Sequence, residues 1–170
     1  ALQINLDTLT PALGLSASAD LPGTVQNAFF TLNPSTPIQA FVDLSLDTPC
    51  LGVSIGTQDP GAPVAFSVGG GVLTATYIDL YVAPAGCLIG TTVYPVGYRF
   101  AFDGTILDAP VAANVEVGLD PVSIDATLSV GSFQVGPLLV DQTQIGIDFV
   151  SGVKDEISFS GGFELFNTSV

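Results

Sequence analysis

The stretch VAANVEVGLDPVSIDATLSV, residues 111–130, alternates apolar and mostly polar residues on either side of a short connection. The apolar positions before the connection are Val111, Ala113, Val115, Val117 and Leu119, and those after it are Val122, Ile124, Ala126, Leu128 and Val130. Alternation with a period of two is typical of half-buried strands. Gly118, Asp120 and Pro121 favour a tight turn between them. The stretch therefore predicts an antiparallel β-hairpin.

The same alternation recurs outside this hairpin. One strand is predicted from apolar residues at every second position, namely Ile38, Ala40, Val42, Leu44 and Leu46. Further strand candidates span 2–6, 28–32, 51–55, 64–68, 72–82, 98–102, 133–135, 145–149 and 157–165, the last broken at Gly161 and Gly162. A turn or two near TLTPALGLSASA, residues 8–19, is the only candidate helix.

Short strands punctuated by glycine and proline, without long helical patterns, favour a β-sandwich or barrel over βαβ units. The sequence has turn signals such as DPGAP and VGGGV, and no composition shift that would mark a linker. We therefore predict one domain over residues 1–170, an all-β antiparallel sandwich of jelly-roll type with little or no helix.

Charge is scarce and of one sign. Only Arg99 and Lys154 are basic, against 16 Asp and Glu, and the formal net charge is −14. Nucleic-acid binders depend on Lys and Arg to neutralise phosphates, so no nucleic-acid partner is expected. Mean hydropathy is +0.60. No apolar run approaches the roughly 20 residues that a spanning helix needs, so no membrane span is predicted.

Two cysteines, Cys50 and Cys87, point to an oxidising compartment in which they would form a disulfide. Two free buried thiols are the alternative. The sequence starts with Ala and contains no Met, which suggests a chain whose signal peptide has been removed, although trimming gives the same result. These features predict an extracellular or cell-surface location. The sequon at Asn167 makes that residue a candidate glycosylation site.

The segment CLGVSIGT, residues 50–57, matches the G-x-S-x-G pattern of a serine hydrolase around Ser54. That chemistry needs a general base, and the chain has no histidine. The only lysine, Lys154, adjoins two acids that would keep it charged. We therefore expect no enzyme, no catalytic residue and no His- or Cys-based metal centre. Calcium binding by acidic residues in turns stays an alternative. The candidate ligands are Asp43, Asp47, Asp59, Asp103 and Asp108, although the same residues are also expected on the solvent-facing side of a sheet.

Three segments, NAFFTL, TATYIDLYVA and ISFSGGFELF, carry aromatic and other apolar residues at neighbouring positions. Neighbours on a strand point to opposite sides, so both sides of these strands are expected to be covered, one by another chain. This pattern predicts a self-assembling extracellular structural protein, a homopolymer forming a filament, sheath or surface layer.

The amino-terminal segment is one candidate for contact with a neighbouring copy. Leu2, Ile4 and Leu6 would give specificity if this strand added to a neighbour's sheet edge. The alternative is that the segment is the first strand of its own sheet. The alternative function is a secreted binding module for an apolar ligand or a calcium-bridged glycan.

Overall fold

The fold is known from a computed structural model. It describes residues 2–7, 12–20, 23–27, 29–34, 36–44, 48–59, 61–89, 92–165 and 168–169. These residues contain no helix, and every strand pairing among them is antiparallel. The predicted all-β antiparallel fold is confirmed.

The strands are short to medium in length and follow one another closely along the chain. They are β1 (Leu2–Asp7), β2 (Ala12–Asp20), β3 (Val25–Gln26), β4 (Phe30–Leu32), β5 (Pro37–Asp43), β6 (Cys50–Gly56), β7 (Phe66–Val68), β8 (Leu73–Ala83), β9 (Cys87–Ile89), β10 (Thr92–Tyr94), β11 (Gly97–Ile106), β12 (Ala109–Leu119), β13 (Val122–Val130), β14 (Phe133–Val135), β15 (Leu138–Val140), β16 (Thr143–Val150), β17 (Lys154–Ser160), β18 (Phe163–Leu165) and β19 (Thr168–Ser169).

One large sheet dominates the architecture. Its main path runs β1-β2-β5-β6-β8-β11-β12-β13-β16-β17, with β3, β4 and β7 attached beside β8. Two small sheets, β9-β10 and β14-β15-β18-β19, complete the set. The main path follows chain order, whereas a jelly roll passes strands back and forth between two sheets. The finer prediction of a jelly-roll topology is therefore not confirmed.

The hairpin over residues 111–130 is confirmed as β12 and β13. Val117 pairs with Ile124 and Val115 with Ala126, and the connection contains a cis peptide bond between Asp120 and Pro121. Gly69, Gly70 and Gly71 of the VGGGV segment have positive φ angles of 63°, 69° and 103° and form the predicted turn, which lies between β7 and β8.

Two local predictions differ from the structure. The candidate helix is wrong for residues 12–19, which lie in β2, while residues 8–11 fall outside the described part of the chain. Apolar residues at 13, 15, 17 and 19 have the period of a strand, and pairing with β5 favours that conformation over a helical turn. The strand predicted from Ile38 to Leu46 is shorter in the structure, where β5 ends at Asp43. Leu46 falls outside the described residues.

The predicted disulfide joins Cys50 at the start of β6 to Cys87 at the start of β9, with Cα atoms 6.2 Å apart. It fastens the β9-β10 hairpin against the large sheet. Tyr94 on that hairpin stacks on Phe41, with ring centroids 4.3 Å apart, and meets Tyr81 edge-on at 5.4 Å. Because Phe41 is 9% exposed and Tyr81 only 6%, this cluster is a true, though small, core.

Reducing the disulfide, or replacing both cysteines by serine, is expected to lower the free energy of unfolding by about 4 kcal/mol, because the unfolded chain loses its loop constraint. Urea unfolding followed by far-UV circular dichroism, with and without reductant, measures the difference. Two thiols that alkylate freely without reductant would contradict the bridge itself.

Candidate functional site

The cross-strand register of the large sheet collects apolar residues on one side. Residues directly opposite each other on paired strands share a face. The first row across the strands is Val42, Leu51, Val82, Tyr98, Val117, Ile124 and Phe149. The second is Ala40, Val53, Leu80, Phe100, Val115, Ala126, Ile147 and Ile157, and the third is Ile38, Ile55, Ile78, Phe102, Ala113, Leu128, Ile145 and Phe159. We call these three rows the apolar face.

The described part of the chain leaves the apolar face uncovered. Leu80, Phe100 and Leu128 lie in its interior, yet each is 40% exposed. On the last strand, Ile157 and Phe159 are 75% and 71% exposed. Side chains packed beneath a second layer would be nearly inaccessible, as Phe41 and Tyr81 are on the other side of the same sheet. The face is therefore a broad, open apolar surface of the kind that marks an interaction site.

The other side of the sheet, the polar face, carries the charges. One row across it reads Arg99, Glu116, Asp125, Asp148 and Glu156. The Arg99 Nε atom lies 3.3 Å from Glu116 Oε1 and 3.8 Å from Asp79 Oδ2, in ion pairs that lack hydrogen-bond geometry. Lys154 Nζ pairs with Asp148 and lies 3.3 Å from Glu156 Oε2. Charge and apolar surface are thus sorted to opposite sides.

This sorting corrects one expectation from the sequence. In TATYIDLYVA, neighbouring aromatic and aliphatic residues were expected to make both sides apolar. The structure places Ile78, Leu80 and Val82 on the apolar face and the Tyr77, Asp79 and Tyr81 set on the polar face. Of this second set, Tyr81 is buried in the aromatic cluster, as expected for a covered side, whereas Tyr77 and Asp79 bring polar groups to it.

Ser54, the centre of the G-x-S-x-G segment, lies on the polar face opposite Gln39 and Asp79. Its hydroxyl hydrogen-bonds with that of Tyr77. The two glycines of the pattern have packing roles. A Cβ atom on Gly52 would collide with the ring of Phe41, and Gly56 has a φ of 81° and lies against the Thr76 carbonyl oxygen. The pattern is thus explained by close strand packing.

Asp79 is the most perturbed carboxylate of the polar face. Burial raises its pKa above the usual 3.8, while the Arg99 charge and a hydrogen bond from Tyr77 act in the opposite direction. Burial is also the main cause of the raised pKa of Tyr77, and the neighbouring Asp79 charge adds to it. This group is held by β6, β8 and β11 and sits beside the aromatic cluster.

The remaining predicted residues are spread over the chain. In β1, Leu2 pairs with Ala17, Ile4 with Leu15 and Leu6 with Leu13, so this strand belongs to its own sheet, and its role in assembly stays a prediction. Asn167 lies outside the described residues, as does Asp47.

The described part of the chain contains no group of three or more acidic, Cys or His residues that could hold a metal ion. Nor does it contain a helix long and apolar enough to cross a membrane.

Sequence reasoning identified the alternation of individual strands but not their common face. A usable signal was present in the hairpin, because its two-residue turn places odd positions of β12 opposite even positions of β13. The cluster of Tyr77, Asp79 and Arg99 was missed because β8 and β11 are separated in sequence by β9 and β10. No short turn therefore predicts which of their residues lie opposite each other.

Searches against models of known protein families, curated proteins and solved structures give no match to this chain.

Replacing Gly52 by Ala is expected to destabilise the protein by about 1–3 kcal/mol, because the new methyl group displaces the Phe41 ring from Tyr94. Thermal unfolding with near-UV circular dichroism of the tyrosines measures both effects. Gly23→Ala is the matched control, since a Cβ at Gly23 meets no atom within 4 Å. Equal stability of the two variants would contradict the packing.

The stability of the Asp79→Asn variant relative to the parent should increase as the pH rises from about 3.5 to 7. The pKa of Asp79 is higher in the folded state than in the unfolded state, so the folded protein holds this proton more tightly. The stability that the protonated carboxyl contributes at low pH is therefore lost as the pH rises through the folded-state pKa. Asn mimics the protonated carboxyl. The measurement is the difference in melting temperature between variant and parent across this range. Asp125→Asn, on the exposed part of the polar face, controls for the loss of one negative charge, and an identical pH trend in both variants would refute the assignment.

Proposed function

We propose that the protein is an extracellular structural subunit that assembles with copies of itself into a filament, sheath or surface layer through packing of its β-strands. The observation that carries this proposal is the surface area. The chain has an accessible surface of 10732 Å². A compact monomer of 17.3 kDa is expected to expose about 7,800 Å². The excess is about 2,900 Å² per chain, somewhat more than the roughly 1,000–2,500 Å² that each partner buries in a permanent protein interface.

The disulfide is consistent with an oxidising environment, which supports the extracellular part of the proposal. Charge also favours assembly through the sheet. The rows of the apolar face contain no charged residue, and only their continuation on β17 reaches one, Asp155. Copies that each carry a net charge of −14 can therefore meet without bringing carboxylates together at the contact.

The edges of the large sheet offer a second kind of contact. Among the described residues, β1 pairs only with β2, and β17 pairs only with β16. An unpaired strand edge presents N–H and C=O groups that can pair with another chain. The edge of β17 carries Lys154, Asp155 and Glu156, which discourage unspecific pairing. Lateral growth is therefore more favourable at β1.

A second candidate function is a secreted module that binds an apolar ligand. The same uncovered apolar face favours it, because an extended ligand could cover Leu80, Phe100 and their neighbours. For a calcium-bridged glycan, the described residues offer no acidic cluster in support.

The purified, oxidised protein is expected to sediment as multiples of 17.3 kDa and to form regular polymers visible by negative-stain electron microscopy. Analytical ultracentrifugation over about 1 µM to 1 mM, with and without calcium, measures the association. A strict monomer over the whole range that binds a lipid or a glycan would replace this function by the binding module. Truncation of residues 1–9 removes β1, and unchanged polymers from the truncated chain would exclude growth through that edge.

A further inference from the structure

We infer that the apolar face binds the same face of a second copy, so that two chains together form the β-sandwich that one chain does not complete. This inference rests on the proposed assembly function and identifies its partner and its surface. The occupant is another molecule of this protein, related by a two-fold axis that lies in the plane of the interface, parallel to both sheets.

The area of the face matches that of a stable protein interface. Eight strands, β5, β6, β8, β11, β12, β13, β16 and β17, contribute to it. At about 4.8 Å between strands and 3.3 Å per residue, three rows on eight strands cover roughly 38 by 20 Å. Two such faces bury about 1,500 Å² in total before the corrugation of the side chains is counted, which is the size of a standard specific interface.

The relief of the face is suited to its own copy. Phe100 and Phe102 stand side by side along β11 and form a ridge. Ala113 on β12 lies directly beside Phe102, and Ala126 on β13 lies one strand farther out, beyond Val115, so small side chains lower the surface on this side of the ridge. A two-fold axis between the ridge and this lower surface places the phenylalanines of each chain over the alanines of the other. A two-fold interface requires such self-complementarity, because the same patch serves both partners.

Electrostatics favours the face-to-face arrangement over other contacts between copies. Sheets in a sandwich lie about 10 Å apart, and each polar face points away from the partner. The charged row of Arg99, Glu116 and Asp125 on one copy is then separated from that of the other by two sheets and the core. This distance exceeds the Debye length of about 8 Å at physiological salt, so repulsion between the acidic chains is largely screened.

The test uses adjacent residues on the same strands. Leu128→Asp and Ile145→Asp place carboxylates on the apolar face at two directly paired positions. Thr127→Asp and Gln144→Asp place the same charges one residue away, on the polar face. Each apolar-face substitution buries unpaired carboxylates from both chains in the proposed interface, so self-association should weaken by about 100-fold or more. The polar-face variants should associate as the parent does, within about threefold.

Folding is checked separately by far-UV circular dichroism and by the absence of free thiols at Cys50 and Cys87. Leu128→Thr with Ile145→Thr is the milder pair, because threonine keeps strand propensity while removing apolar contact, and about a tenfold weakening is expected. X-ray scattering from the assembled parent should show a sheet-to-sheet spacing of about 10 Å beside the strand spacing near 4.8 Å. The first spacing should be lost in the Leu128→Asp variant.

Three results would overturn the inference. Assembly that survives in folded apolar-face variants would show that another surface holds the copies together, and the proposed function would stand. A parent that stays monomeric up to 1 mM would remove both the inference and the proposed function. A monomeric parent that binds neutral phosphatidylcholine vesicles, and loses this binding with Leu128→Asp, would assign the face to lipid.

Discussion

The register between neighbouring strands is the constraint on which the rest of this structure depends. Side chains alternate along each strand, so a slip of one residue between any two strands would move the apolar side chains of everything beyond it to the other side. The pairing of Val117 with Ile124 illustrates this, because a slip there would bring Glu116 into line with Ile124. Eight strands keep a common face only because every pairing along the path agrees.

The register also explains why the chain has so small a core. A single large sheet buries little unless something lies on it, and among the described residues the hairpin β9-β10 covers only the end of the polar face near Phe41 and Tyr81. Of the side chains that the structure describes, no large one is fully buried. Backbone pairing and the disulfide therefore contribute much of the stability of the isolated chain. Any partner that covers the apolar face adds to it, since ligands that bind only the folded state stabilise it.

Sequence alone was sufficient for the parts of the fold that are local. The hairpin of β12 and β13 follows from alternation and a two-residue turn, and the pairing of Cys50 with Cys87 follows from there being only two cysteines. The common face was not predictable in the same way. The pairings of β2 with β5 and of β13 with β16 cross intervening strands, so their register depends on the geometry of those connections rather than on a turn. The helix expected near residues 12–19 failed because its weak local preference competed with pairing to β5.

The disulfide has a consequence for the thickness of any assembly. It holds Tyr94 over Phe41 and Tyr81, the largest apolar side chains in the cluster on the polar face. In the proposed assembly, this cover leaves each copy one apolar side for contact, so stacking would end once two sheets have met. Without the cover the aromatic rings on the second side would become accessible, and further layers could add. Under this proposal the disulfide limits how many faces of each copy can pair, and we expect it to form before assembly.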